Sequence, residues 1–210
     1  MQQQCNIDKL VAGCQALGIS LSGGQQSGML RHLELLGKWN RRINLTSIHD
    51  PGEGITQHLL DSLAVMPFIS GVSVLDIGTG AGFPGLPLAI ADSSLEVTLL
   101  DSRGKRIEFL RHVVAETGIK NAIPVHSRIE TLRTDRQHDT LISRAFSSLG
   151  DFIHLTGHLQ REGTRLVAMK GKFPEAELGE LPAPLAERVN VHRIQVPGLD
   201  AERHAVVLDI

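Results

Sequence analysis

The run Val72-Ser73-Val74-Leu75-Asp76-Ile77 leads directly into Gly78-Thr79-Gly80-Ala81-Gly82-Phe83-Pro84-Gly85, and an apolar stretch follows. No other feature restricts the fold of this chain so strongly. A β-rich run that ends in closely spaced glycines and resumes as a helix is the opening unit of an open parallel sheet, whose ligands bind beyond the carboxyl ends of the strands. Glycines there let the backbone approach a ligand that any Cβ would push away. The site expected at residues 76 to 85 is therefore of nucleotide type.

The flanking pattern agrees. Strands are expected at Val72 to Ile77, Glu96 to Asp101, Ala122 to His126, Thr140 to Ser143 and Arg165 to Lys170. Amphipathic stretches separate them at Gly85 to Ala91, Lys105 to Thr117 and around Leu149 to Leu159, and this alternation predicts a parallel sheet wrapped by helices. Residues 191 to 196 and 204 to 210 are joined by Pro197-Gly198-Leu199-Asp200, too short for a crossover helix, so they are expected to pair as an antiparallel hairpin. The result is an α/β fold with a doubly wound, mostly parallel seven-stranded sheet. Residues 6 to 66 instead repeat their apolar positions at helical spacing, most clearly Leu30, Leu33, Leu36, Trp39 and Ile43, with breaks at Ser20 to Gly24 and at Asp50-Pro51-Gly52. The organisation expected is an N-terminal helical region over 1–70 and a sheet domain over 71–210, with Trp39 anchoring the first to the second.

Which ligand the glycines serve follows from what surrounds them. A dinucleotide fingerprint would place its third glycine where Phe83 stands, and here the glycine comes early, at Gly82. Asp76, just ahead of the turn, would repel a pyrophosphate but suits a cationic ligand. S-adenosylmethionine, with an ammonium, a sulfonium and no phosphate, meets both conditions. Asp101, 19 positions beyond Gly82 at the end of the second strand, is placed to accept hydrogen bonds from ribose hydroxyls. Capping of the next helix is the plainer role for the same carboxylate.

Composition bounds the partners. The chain has 210 residues, 41% hydrophobic and 21% charged, and a net charge of −2, the balance of a globular protein rather than of a disordered one. No apolar window is long enough to span a membrane and the start lacks a secretory pattern, so a cytoplasmic protein is expected. Cys5 and Cys14 form no metal-type spacing, and His154 and His158 lack the glutamate of a zinc helix, so no metal is expected. Basic residues gather at Arg31, Lys38, Arg41 and Arg42 and again at Arg103, Lys105, Arg106 and Arg111. Beyond residue 172 acids outnumber arginines, and that end is expected to avoid phosphate.

Taken as a set, Trp39-Asn40, Asn44-Leu45-Thr46, His58-Leu59-Leu60-Asp61-Ser62, Asp76 through Gly85 and Ile142-Ser143-Arg144-Ala145-Phe146 resemble one family, in order and over nearly the whole chain. It is the small-subunit ribosomal RNA methyltransferase G family, also called glucose-inhibited division protein B. The resemblance implies methylation of N7 of a guanine in small-subunit ribosomal RNA, with S-adenosylmethionine as donor. It further implies that Gly78 and Phe83 touch the donor, that Ile129 and Glu130 flank its adenine, and that Arg144 completes the pocket, beside the Asp76, Gly80 and Asp101 already singled out. Two positions depart from the pattern: Ala81 stands where some relatives have proline, and Ile43 where relatives carry an aromatic residue, which weakens the case for base stacking there.

Guanine N7 offers its lone pair at neutral pH, so no catalytic acid or base is expected. Alignment has to do the work. Reaching N7 in folded RNA requires an exposed or splayed base. Arg41, Arg42, Arg103, Lys105, Arg106, Lys170 and Lys172 are the cations expected to hold the RNA backbone, and His58 is a further candidate for the cleft. The partner expected is small-subunit ribosomal RNA or the assembled 30S-type subunit, bound by a monomer. A nicotinamide-dependent oxidoreductase would want glycine at position 83. A non-catalytic RNA-binding or assembly factor that keeps the nucleoside pocket stays open.

Overall fold

The computed structural model describes residues 2–144, 146 and 148–210. Its centre is a seven-stranded sheet in the order β3-β2-β1-β4-β5-β7-β6. The strands are β1 (Ser73–Ile77), β2 (Glu96–Asp101), β3 (Ala122–His126), β4 (Thr140–Ser143), β5 (Arg165–Lys170), β6 (Val189–Ile194) and β7 (Arg203–Asp209). The first five are parallel, while β7 runs antiparallel to both β5 and β6. Strand order reverses between β1 and β4, the switch point at which such sheets open a crevice.

The N-terminal region is helical, as α1 (Gln2–Ala16), α2 (Gly23–Asn40) and a run comprising α3 (Pro51–Gly54), a π-helical turn (Ile55–Leu60) and α4 (Asp61–Leu63). Ser22 starts α2 with a capping box: its hydroxyl accepts from Gln25 N and its own N–H donates to the Gln25 side chain. Asp50 caps α3 in the same manner through Glu53 N. The buried stripe of α2 is Met29, His32, Leu35 and Leu36, and the helix ends at Asn40, so Ile43 lies past it in a loop. Leu10, Met29 and Leu59 share one continuous apolar core with Val74, Leu86 and Val97, so these helices cover one face of the sheet. Trp39 packs on Phe109 and His112 of α6 (Gly104–Thr117), a helix of that face rather than the sheet itself.

The other elements are α5 (Gly85–Ala91), α7 (Leu149–Thr156), α8 (Glu175–Gly179) and α9 (Ala183–Ala186). The last two are short turns between β5 and β6 with no counterpart in the sequence reading. β6 begins two residues earlier than its apolar alternation suggests. No helix among the described residues is long and apolar enough to cross a membrane.

Candidate functional site

At the carboxyl ends of β1, β4 and β5 lies a cavity of about 570 Å³, lined by Gly78 to Ala81 and Phe83, by Arg106, Arg144 and Lys170, and by Leu45 to Ile48 with His58 from the helical region. Gly78, Gly80 and Gly82 have φ of 70, 62 and 93°, conformations that favour glycine. A Cβ added at Gly80 would meet only Gly78 O, at 3.9 Å, so the backbone at Gly80 is open floor on which a ligand can lie, whereas Gly82 is packed against Leu86 and Leu110.

Asp76 is completely buried and does not line the cavity. Its Oδ2 accepts from Thr79 Oγ1 at 2.6 Å and Gly85 N at 2.8 Å, tying the two ends of the turn together, while Oδ1 has no hydrogen-bond partner. Burial pushes its pKa up to about 6, against the opposing pull of those two donors. The geometry gives Asp76 to the loop. Asp101 is also buried. Its Oδ2 accepts from Gly80 N at 3.1 Å and from the Arg106 guanidinium at 3.0 Å, and its Oδ1 from Arg103 N at 2.8 Å. It therefore links the turn to β2 and holds the backbone N–H of Arg103, the residue just before α6.

Phe83 lies between two histidine rings, His58 at 4.5 Å and His32 at 4.7 Å between centroids, and the Arg144 guanidinium sits 5.5 Å from its own. His32 Nε2 lies 2.7 Å from Ala81 O. A carbonyl only accepts, so Nε2 carries the proton and the orphaned, buried Nδ1 carries none. Desolvation lowers both histidines to a pKa of about 4, helped in His58 by the Arg144 charge. Both are neutral at pH 7. His58 lines the cavity and hydrogen-bonds Thr46 Oγ1 at 2.9 Å, which fixes the ring against the loop opposite the glycines.

Sequence reasoning did not find Asp61 as the hub of this wall. Its buried carboxylate accepts from Arg203 Nε at 2.8 Å and lies 3.4 Å from an Arg144 nitrogen, and both guanidiniums line the cavity. Nothing local in the sequence marks this meeting, since 142 positions separate Asp61 from Arg203. Beyond residue 172, Glu177 is engaged by Lys170 and Leu149 N and Asp209 by Arg165, while Arg203 enters the cavity.

The remaining candidates divide. Ile129 is buried in the apolar cluster of the sheet's second face, and Glu130 is exposed on the short turn after β3; neither lines the cavity. Arg41, Arg42, Arg103, Lys105 and Lys172 are exposed. Lys170 points inward to Glu177, at 2.8 Å, and to Phe146 O, which makes it a brace of the wall rather than a free surface cation. Ala145 of the Ser-Arg-Ala pattern lies outside the described residues.

The family model of rRNA small subunit methyltransferase G matches residues 25–206. The chain belongs to that family. Among similar family members, the ribosomal RNA small subunit methyltransferase G of Methylococcus capsulatus is 46% identical over 199 residues, covering 95% of this chain and 96% of its own. The Escherichia coli methyltransferase G is 43% identical over 202 residues, covering 96% and 97%. Solved structures more distant than these methyltransferase G proteins share the fold. The S-adenosylmethionine-dependent methyltransferase SibL in its apo form superposes with a TM-score of 0.57 at 18% identity, over 87% of this chain and 69% of that one. TrmN from Thermus thermophilus gives 0.55 at 19% identity, over 71% and 48%.

Proposed function

We propose that this chain transfers the methyl group of S-adenosylmethionine to N7 of a guanine in small-subunit ribosomal RNA. One observation carries the reading: a glycine turn, hydrogen-bonded to the acid that ends β2, forms the floor of a cavity whose wall brings the two guanidiniums of Arg144 and Arg203 to the single acid Asp61. Floor and acid suit a nucleoside, and the excess of cations suits phosphate.

The residues present fit the donor. Gly78 and Phe83 line the cavity and Gly80 offers open backbone, while Asp101, buried and hydrogen-bonded to Gly80 N, is proposed as the ribose carboxylate and Asp76 keeps the turn in shape. We place Ile129 and Glu130 on the adenine side and Arg144 at the closing wall, the roles that the motif resemblance implies. When bound, S-adenosylmethionine supplies an electrophilic methyl group on a sulfonium. Guanine N7 brings the electron pair, so no side chain has to remove a proton first. The chain's contribution is to align the base and keep water out, and positioning of that kind is worth roughly 7 to 11 kcal/mol. Neutral His58 and Phe83 give the cavity a wall that adds no positive charge as the base becomes cationic. The protein is proposed to work as a monomer in the cytoplasm without a metal.

The test is to titrate the purified chain with S-adenosylmethionine, then supply methyl-labelled donor and either free small-subunit RNA or assembled subunits. Label recovered as 7-methylguanosine supports the proposal. Donor binding with no transfer to either RNA substrate would leave the non-catalytic reading in its place.

A further inference from the structure

Three large hydrophobic side chains stand exposed among the described residues, Val72, Ile123 and Phe173, and only Phe173 is aromatic. It follows Lys170-Gly171-Lys172 on the segment leaving the carboxyl end of β5, two residues from the cavity-lining Gly171. Its ring is 53% exposed yet held in place: the buried His204 meets it at 5.8 Å and 85°, edge to face, and hydrogen-bonds Gly171 O through Nδ1 at 3.1 Å. The neighbour of His204 in sequence is the cavity arginine, Arg203.

Charge completes the picture. His204 faces Arg193 across the β6–β7 pair, so their side chains leave the same face of the sheet. Arg193 and Lys172 are both exposed, and neither forms an ion pair with a described residue. An exposed aromatic ring held against His204, with one uncommitted cation next to it in the chain and another on the strand position paired with His204, beside a cavity proposed to take a splayed-out base, is the chemistry of single-stranded nucleic-acid binding, where bases stack on rings and phosphates meet cations. An interface with protein would call for a wider apolar patch than one ring.

We propose that Phe173, backed by His204 and served by the cations Lys172, its chain neighbour, and Arg193, the strand partner of His204, is a stacking platform for an unpaired RNA base next to the methylated guanine. The inference rests on the RNA-methylating reading above and adds a second contact outside the cavity. Stacking on such platforms is lost on truncation of the ring, which lowers RNA affinity by roughly 5- to 150-fold.

The experiment compares the full-length chain with Phe173→Ala, Phe173→Leu and Phe173→Trp. It uses a small-subunit RNA fragment that the unaltered chain methylates, with 2-aminopurine placed in turn on each side of the target guanine. Expected are weakened RNA binding for alanine and leucine, retention for tryptophan, unchanged S-adenosylmethionine affinity in all three, and aminopurine quenching at one flank that disappears with alanine. Leucine binding as well as phenylalanine would reduce the contact to apolar area and overturn the proposal. Alanine leaving RNA affinity intact overturns it too, and if light scattering then shows lost self-association, the patch is a protein interface. If the unaltered chain methylates no small-subunit RNA fragment, the function proposed above falls along with the platform, whereas normal binding by the alanine variant overturns the platform alone.

Discussion

Acid should loosen the glycine turn through His32, and replacing that residue by glutamine should remove the effect. The His32 ring is buried, donates through Nε2 to Ala81 O, and has a folded pKa of about 4 against 6.5 for the free side chain. Between those values the unfolded chain binds a proton that the folded chain refuses, so stability falls as pH drops from above 6.5 toward 4. For this one residue the loss from pH 7 to pH 5 is roughly 2 kcal/mol, or about 4 to 8 °C of Tm in a domain of this size. His32→Gln places its amide nitrogen near the position of Nε2, keeping the bond to Ala81 but nothing that titrates. At pH 7 the variant should lose about 1 kcal/mol with the stacking on Phe83. Thermal melts of both proteins at intervals from pH 7 to pH 5 provide the assay. His138, lowered chiefly by burial, gives both proteins a common acid slope; His58 is lowered in part by His32 itself, so the difference between the curves reports His32 together with that coupling. Parallel curves would refute the reasoning, because the buried ring would then not be the group that resists protonation.

Other expectations concern the turn, the arginine wall and the surface. Gly85→Ala drives a Cβ to 2.7 Å from Asp76 Oδ2 and into Leu99, so it should cost about 1 to 3 kcal/mol of stability in denaturant melts and weaken S-adenosylmethionine binding in calorimetry. Asp61→Ala leaves Arg144 and Arg203 without their shared acceptor; a loss of about 1.5 to 3 kcal/mol in stability is expected, with transfer to RNA falling further than donor affinity. Charge reversal at the exposed Arg41 and Arg42 should weaken RNA binding and flatten its salt dependence, with donor affinity unchanged in the same titrations.

The parts of this protein legible in the sequence are those set by neighbours in the chain. The strand before the glycines, the turn and the alternation of β2, β3, β4 and β5 with their helices were all local patterns, and the structure has them within a residue or so. The hairpin followed from a linker too short for anything else. α8 and α9 escaped because each is about one turn long, flanked by Pro174 or Pro182 and without an apolar stripe of helical period. In the site, Gly78, Gly80, Phe83 and Arg144 come together at one cavity as the motifs suggested. Asp76 is buried with Oδ2 held by two donors of its own loop, a placement that electrostatics alone cannot foretell. The Asp61 hub escaped because a contact between distant elements leaves no periodicity or spacing behind.

That hub also sets an order of assembly. Arg203 opens the last strand, β7, which pairs on one side with β5 and on the other with β6. While the chain is being made, the donor's floor, the helical cover and the carboxylate of Asp61 are all present well before the guanidinium that completes the RNA side. The wall of the cavity therefore closes only when the last strand made has slotted between β5 and β6 and brought Arg203 to Asp61.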